Sequence, residues 1–114
     1  MIGYVMVGTN NLDKAIIFYD EVLKIINLTR KDTDEVCAGY TQNNSDGSIE
    51  FYVTKPANKK TATFGNGTQV SFLVSSREIV DKFHEIALKP VVLVKEMVVK
   101  DLRVQVFTIH IFVI

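Results

Sequence analysis

The sequence predicts an α+β fold built of paired β-α-β-β-β modules, and three observations carry that prediction. A short alternating apolar stretch near the start is followed at once by a segment of helical periodicity. A dense turn signal, Asn43-Asn44-Ser45-Asp46-Gly47, separates two strand-forming runs. After a loop marked by Pro56 and Gly65-Asn66-Gly67, a strand and then a helix begin the same order again.

Residues 2–7 read as the first strand, with Tyr4 and Met6 on one face and Val5 and Val7 on the other. A strand apolar on both faces is expected in the interior of a sheet. Gly8-Thr9-Asn10-Asn11 is a turn rich in helix-capping residues. The first helix is predicted over residues 12–26, where Leu12, Ala15, Ile16, Tyr19, Val22, Leu23 and Ile26 make one apolar stripe. Asp13 in its first turn suits the helix dipole. Residues 29–31 and 36–41 are short strands, and a hairpin joins the second of these to residues 48–54. Residues 68–74 form the next strand. Ser75 and Glu78 have the spacing of a capping box for a second helix over residues 76–88, which buries Ile79, Val80, Phe83, Ile86 and Ala87.

Composition narrows the function. The chain has 114 residues, enough for one domain with its own core. Thirteen Lys and Arg balance thirteen Asp and Glu, which argues against a nucleic-acid binder. Cys37 is the only cysteine, so an intrachain disulfide is excluded and a reducing, cytoplasmic setting is expected. The thiol is read as a small hydrophobe in a strand. Asn10, Asn11, Asp13 and Lys14 break any apolar leader, and no apolar run is long enough to span a membrane.

Three separated segments carry a family resemblance. "MIGYVMVGTNNLDKAIIFYDEVL" has a strand, an Asn11-Leu12 turn and a helix bearing Phe18-Tyr19. "IEFYVTKP" follows at the end of the first module, and "GNGTQVSFLVSSREIVDKFHEIAL" opens the second. Over roughly residues 1–89 the chain resembles the vicinal oxygen chelate superfamily of glyoxalases, bleomycin-resistance proteins and extradiol dioxygenases, in a bacterial glyoxalase-like subgroup. The resemblance implies a first module over 1–55, a linker loop over 56–67 and a second module over 68–114. The two modules form a curved mixed sheet around a cleft. It also implies a homodimer and a small-molecule ligand.

In the metal-dependent members, four strand positions in that cleft hold a divalent cation such as Zn, Ni, Mn or Fe, a Lewis acid for a bidentate substrate. The resemblance places Glu50 and Gln69 at two of them, Glu50 as ligand or base and Gln69 as ligand or polar substrate contact. Tyr4 stands at a third, and a phenol, with an ordinary pKa of about 10, is a poor ligand at neutral pH. The fourth position falls in residues 109–114, which contain no acid. No metal in this chain is therefore the expectation. Tyr4, Tyr52 and Gln69 are the expected substrate contacts, and Glu50 the expected catalytic group. Glu50 also reads as a solvent-facing residue, with Ser48, Glu50 and Tyr52 on one face by strand alternation. His84 reads as a surface histidine. Lys55, Lys59 and Lys60 form a solvated basic loop, and Tyr40 and Phe64 read as packing aromatics.

All six glycines (Gly3, Gly8, Gly39, Gly47, Gly65 and Gly67) lie in the first 67 residues. Residues 90–114 are valine-rich, contain no Gly, Asn or Ser to form turns and do not match the family. A reading-frame shift near Lys89-Pro90 would account for that composition, because valine codons read one base early include glycine codons; the alternative is a natural divergent tail that forms strands by propensity. Three functions follow: a glyoxalase-like protein holding a small molecule, with metal-dependent lyase or isomerase (lactoylglutathione lyase-like) chemistry; a non-enzymatic module that sequesters a compound such as an antibiotic; or an inactive product of a disrupted gene.

Overall fold

The computed structural model describes residues 1–42, 46–63, 68–93 and 109–113. They belong to two compact units, Met1–Thr63 and Phe64–Ile114.

The first unit contains β1 (Val5–Gly8), α1 (Leu12–Lys24), β2 (Leu28–Thr33), β3 (Cys37–Gln42) and β4 (Phe51–Thr54). Its sheet has the order β1-β4-β3-β2. β1 runs parallel to β4, while β3 runs antiparallel to both β4 and β2. The expected β-α-β-β-β order is thus present. β1 stands at an edge of this sheet, however, not in its interior as its two apolar faces suggested.

α1 begins where the local chemistry dictates. The Asn11 side chain accepts the Lys14 N–H at 3.1 Å, and the Thr9 hydroxyl accepts the Asn11 N–H at 3.1 Å. Two donors that the helix leaves unpaired at its start are therefore satisfied locally. The helix stops two residues before the expected end, and Asn27 then takes a left-handed conformation (φ 63°) that a short amide side chain tolerates. The apolar stripe packs on one sheet face. Leu12, Ala15, Phe18, Tyr19, Val22 and Leu23 are buried against Ala38, Tyr40, Phe51 and Val53. The Tyr19 ring lies 5.5 Å from Phe51 and 6.3 Å from Tyr40, in tilted contact.

β4 is shorter than the alternation predicted, for a definite reason. The Tyr40 carbonyl accepts the Glu50 N–H at 3.0 Å while Tyr40 is in register with Phe51. Two residues thus oppose one, the arrangement of a β-bulge. The regular ladder starts only at Phe51, which also fixes where β1 begins pairing, at Val5.

The second unit contains β5 (Val70–Val74), α2 (Arg77–Leu93) and β6 (Ile109–Val113), with β5 and β6 parallel from Val70↔Ile109 to Val74↔Val113. The helix cap is Ser76 rather than Ser75: the Ser76 hydroxyl accepts the Ile79 N–H at 3.4 Å. Ser76 directly precedes the first helical residue, so its hydroxyl reaches the third N–H of the helix. α2 continues past Pro90 to Leu93 rather than ending at Leu88. A proline forfeits one main-chain hydrogen bond, and residues 91–93 keep helical backbone beyond it. Strand propensity in the tail is realised at β6. The remainder of the tail, residues 94–108 and 114, lies outside the described residues, as do the 43–45 turn and Phe64.

Candidate functional site

α1 covers one face of the first unit's sheet. On the other face side chains stand exposed, and register shows which ones. Met6 pairs with Tyr52, and Tyr52 with Gly39, so these positions share a face; Cys37 and Thr54 lie further along it. Tyr4, one alternation before Met6, meets Tyr52 edge-to-face with ring centroids 5.3 Å apart at 78°. Tyr4 is 58% and Met6 49% exposed, whereas Phe51 and Val53 on the helix side are 2% and 0% exposed. The open face is therefore aromatic and apolar around Tyr4, Met6 and Tyr52.

Gly39 shapes this surface. A Cβ there would stand 2.9 Å from Ile49 Cγ2 and 3.0 Å from Tyr52 Cε1. Its missing side chain lets Ile49 and the Tyr52 ring lie side by side over the strand. Simple alternation set Ser48, Glu50 and Tyr52 together; across the bulge, Ile49 is the residue packed next to Tyr52. Glu50 itself is exposed, with its main chain bonded to Val5 and Tyr40. A glycine inside a strand is a signal of close approach, and Gly39 was the clue to Ile49 that the sequence reading did not use.

Cys37 is half-buried at the far end of this face. Burial pushes its thiol pKa up, and the neighbouring Asp34 charge pushes it further. It is held as a thiol, the opposite of an activated nucleophile. Asp34 accepts the Val36 and Cys37 N–H groups at 2.7 and 2.8 Å, and these bonds hold its carboxyl below the usual range. Between the start of α1 and the β2–β3 turn runs a groove of about 550 Å³, with Leu12 and Ile16 among its apolar residues and Asp13, Glu35 and Lys55 among its charged ones.

In the second unit Gln69 precedes β5 and donates from Nε2 to the Ser71 hydroxyl at 3.1 Å. With Leu73, 68% exposed, they form the partly polar row that the sequence indicated. Of the four expected site residues, Tyr4 and Tyr52 touch, Glu50 lies two positions before Tyr52, and Gln69 is on the other unit. His84 is exposed, as are Lys55, Lys59 and Lys60, and Tyr40 is a core residue. Among the described residues no group of three or more His, Cys, Asp or Glu is placed to hold a metal ion. Nor is any helix among them long and apolar enough to cross a membrane.

A network unseen in the sequence fastens helix to sheet. Arg30 donates from Nε and Nη2 to the two Asp20 oxygens, each at 3.0 Å, and the Tyr40 hydroxyl donates to Asp20 Oδ1 at 2.9 Å. The bonds to Asp20 raise the Arg30 pKa further. Burial, then the bond to Asp20, raises the Tyr40 phenol far above its ordinary value. Tyr19, 1% exposed, is raised by burial alone, and its hydroxyl is buried without a hydrogen-bond partner among the described residues.

Comparison with known proteins places this geometry. No protein-family model and no curated protein matches the chain. Among solved structures it is similar to a glyoxalase/bleomycin resistance protein from Albidiferax ferrireducens T118, at 31% identity and a TM-score of 0.68, over 77% of this chain and 69% of that one. A glyoxalase candidate from Bacillus halodurans aligns at 21% identity with a TM-score of 0.60, over 79% of this chain and 68% of its own. Another from Bacillus cereus aligns at 23% with a TM-score of 0.56, over 79% and 72%. The two Bacillus likenesses bear on the fold alone.

Proposed function

We propose that this chain, which belongs to the glyoxalase/bleomycin resistance protein family, binds a small apolar molecule bearing an aromatic ring on its open sheet face, and does so without a metal. The observation that carries this reading is the edge-to-face pair of exposed Tyr4 with half-buried Tyr52, flanked by exposed Met6. Aromatic rings with a free face and a polar tip suit a planar ligand, since ring contacts contribute about 0.5–1.5 kcal/mol each beyond area burial. A methionine beside them adapts to ligand shape. Ligand pockets are generally apolar with a few polar groups that fix orientation. The tyrosine hydroxyls and the Glu50 carboxylate are the groups of the first unit available for that role.

Metal-assisted lyase or isomerase chemistry is supported less well. The residues expected as donors, Glu50, Gln69 and Tyr4, offer one carboxylate, one amide and one phenol, a poor set for a divalent cation. The chain has no tryptophan, and two of its four tyrosines, Tyr4 and Tyr52, lie on this face, so part of the tyrosine fluorescence reports on it. Titration with a panel of aromatic small molecules is expected to give saturable quenching that weakens at least about tenfold in Tyr52→Ala. Binding indifferent to both Tyr4→Ala and Tyr52→Ala would overturn the reading. Stoichiometric uptake of Zn, Ni, Mn or Fe that is lost in Glu50→Ala would replace it with the enzymatic one.

A further inference from the structure

The far end of the connection that leaves the first unit is fastened by the Asn10 side chain. After β4 the chain makes a tight turn, with the Lys59 N–H donating to the Pro56 carbonyl at 2.9 Å. It then returns to the corner between β1 and α1. There the Asn10 side chain pairs with the Ala62 peptide in both directions: Nδ2 donates to the Ala62 carbonyl at 3.2 Å, and Oδ1 accepts the Ala62 N–H at 2.7 Å. An amide that matches a peptide group in this way replaces a rung of a sheet ladder. Ala62 also packs closely on Gly8, where an added Cβ would stand 3.2 Å from the Ala62 Cβ. The beginning of the loop is pinned at the same corner by the Thr9 N–H bonded to the Thr54 carbonyl at 2.8 Å. Both ends of the loop thus close on the β1–α1 corner, the near end through main chain and the far end through Asn10.

We infer that Asn10 is a latch: a positioning residue whose amide sets whether the segment leading to the second unit is fastened to the first or released from it. The inference is independent of what the open face binds. The near end is held by backbone and is insensitive to sequence, so release would be confined to residues 56–63. That segment carries Lys59 and Lys60, both exposed, which makes its state readable by trypsin. It also follows that Asn10→Asp should act as a pH-dependent latch. A protonated carboxyl donates from one oxygen and accepts on the other, as the amide does. The ionised form only accepts, and sets its second oxygen against the Ala62 carbonyl.

The test uses the full chain. Limited trypsin digestion at pH 8, read by intact mass, should show cleavage after Lys59 and Lys60 roughly tenfold faster in Asn10→Ala than in the parent, with cleavage elsewhere little changed. In the parent, the Ala62 amide should exchange with solvent much more slowly than those of Thr61 and Thr63. In Asn10→Asp that protection should persist at acidic pH and fall away as the carboxyl ionises. An Ala62 amide unprotected in the parent, or faster cleavage spread evenly over all basic sites, would overturn the inference.

Discussion

Asp20→Ala should destabilise the first unit through the tyrosine it leaves behind more than through the ion pair it breaks. The Asp20 and Arg30 side chains are 34% and 37% exposed, and such pairs contribute only about 0.2–1 kcal/mol. Tyr40 is 0% exposed, and its hydroxyl would be stranded in the interior, a loss of about 1–3 kcal/mol. The expected total is about 1–4 kcal/mol. Arg30→Ala should cost under about 1 kcal/mol, and Tyr40→Phe about 1 kcal/mol. Asp20→Ala/Tyr40→Phe should cost clearly less than the sum of its singles, because no hydroxyl remains to be stranded. Urea unfolding resolves these differences. With a slope of about 1.5 kcal/mol/M, a 2 kcal/mol loss moves the midpoint by about 1.3 M. If Arg30→Ala matches Asp20→Ala while Tyr40→Phe is silent, the ion pair carries the energy and this reasoning fails.

Two further outcomes follow from the packing. Gly39→Ala should cost about 1–3 kcal/mol by pushing Ile49 and Tyr52 apart, and should weaken any ligand bound on that face. Gly3→Ala, with nothing within 4 Å, is the control expected to be silent in the same urea assay. Tyr19 and Tyr40 have phenols raised by burial. The folded value lies above the unfolded one of about 10, so their contribution is complete below pH 10 and drains away as pH rises past it. At least two of the four tyrosines should therefore ionise only together with loss of far-ultraviolet circular dichroism. Reversible titration of all four in the folded protein would contradict this.

What the sequence disclosed, and what it hid, divides along physical lines. The α1 stripe and the Tyr4/Met6 face were legible because each depends on local periodicity alone. Phe18 completes that stripe and was passed over although it stands between Ala15 and Val22 at helical spacing. The bulge at Glu50 was not legible: it arises from how one strand meets another, and nothing within residues 48–54 announces it. Its effect was to set Ile49 beside Tyr52 and to delay both β4 and β1. The Asp20–Arg30–Tyr40 network and the Asn10–Ala62 pairing were hidden for the same reason, since their partners are ten to fifty-two residues apart. The second helix is expected to end at Leu88, whereas it extends to Leu93.

The position of β4 between β1 and β3 bears on the order in which the first unit can form. β2, β3 and β4 are sequence neighbours and can zip together with short loops. β1 is made first but has no partner until β4 exists, and Val5 must then find Phe51 across nearly the whole unit. The entropy of closing that long loop falls on the β1–β4 pairing. On a ribosome, the N-terminal strand would emerge and wait, its apolar side chains unpaired, until the last strand of its sheet is complete.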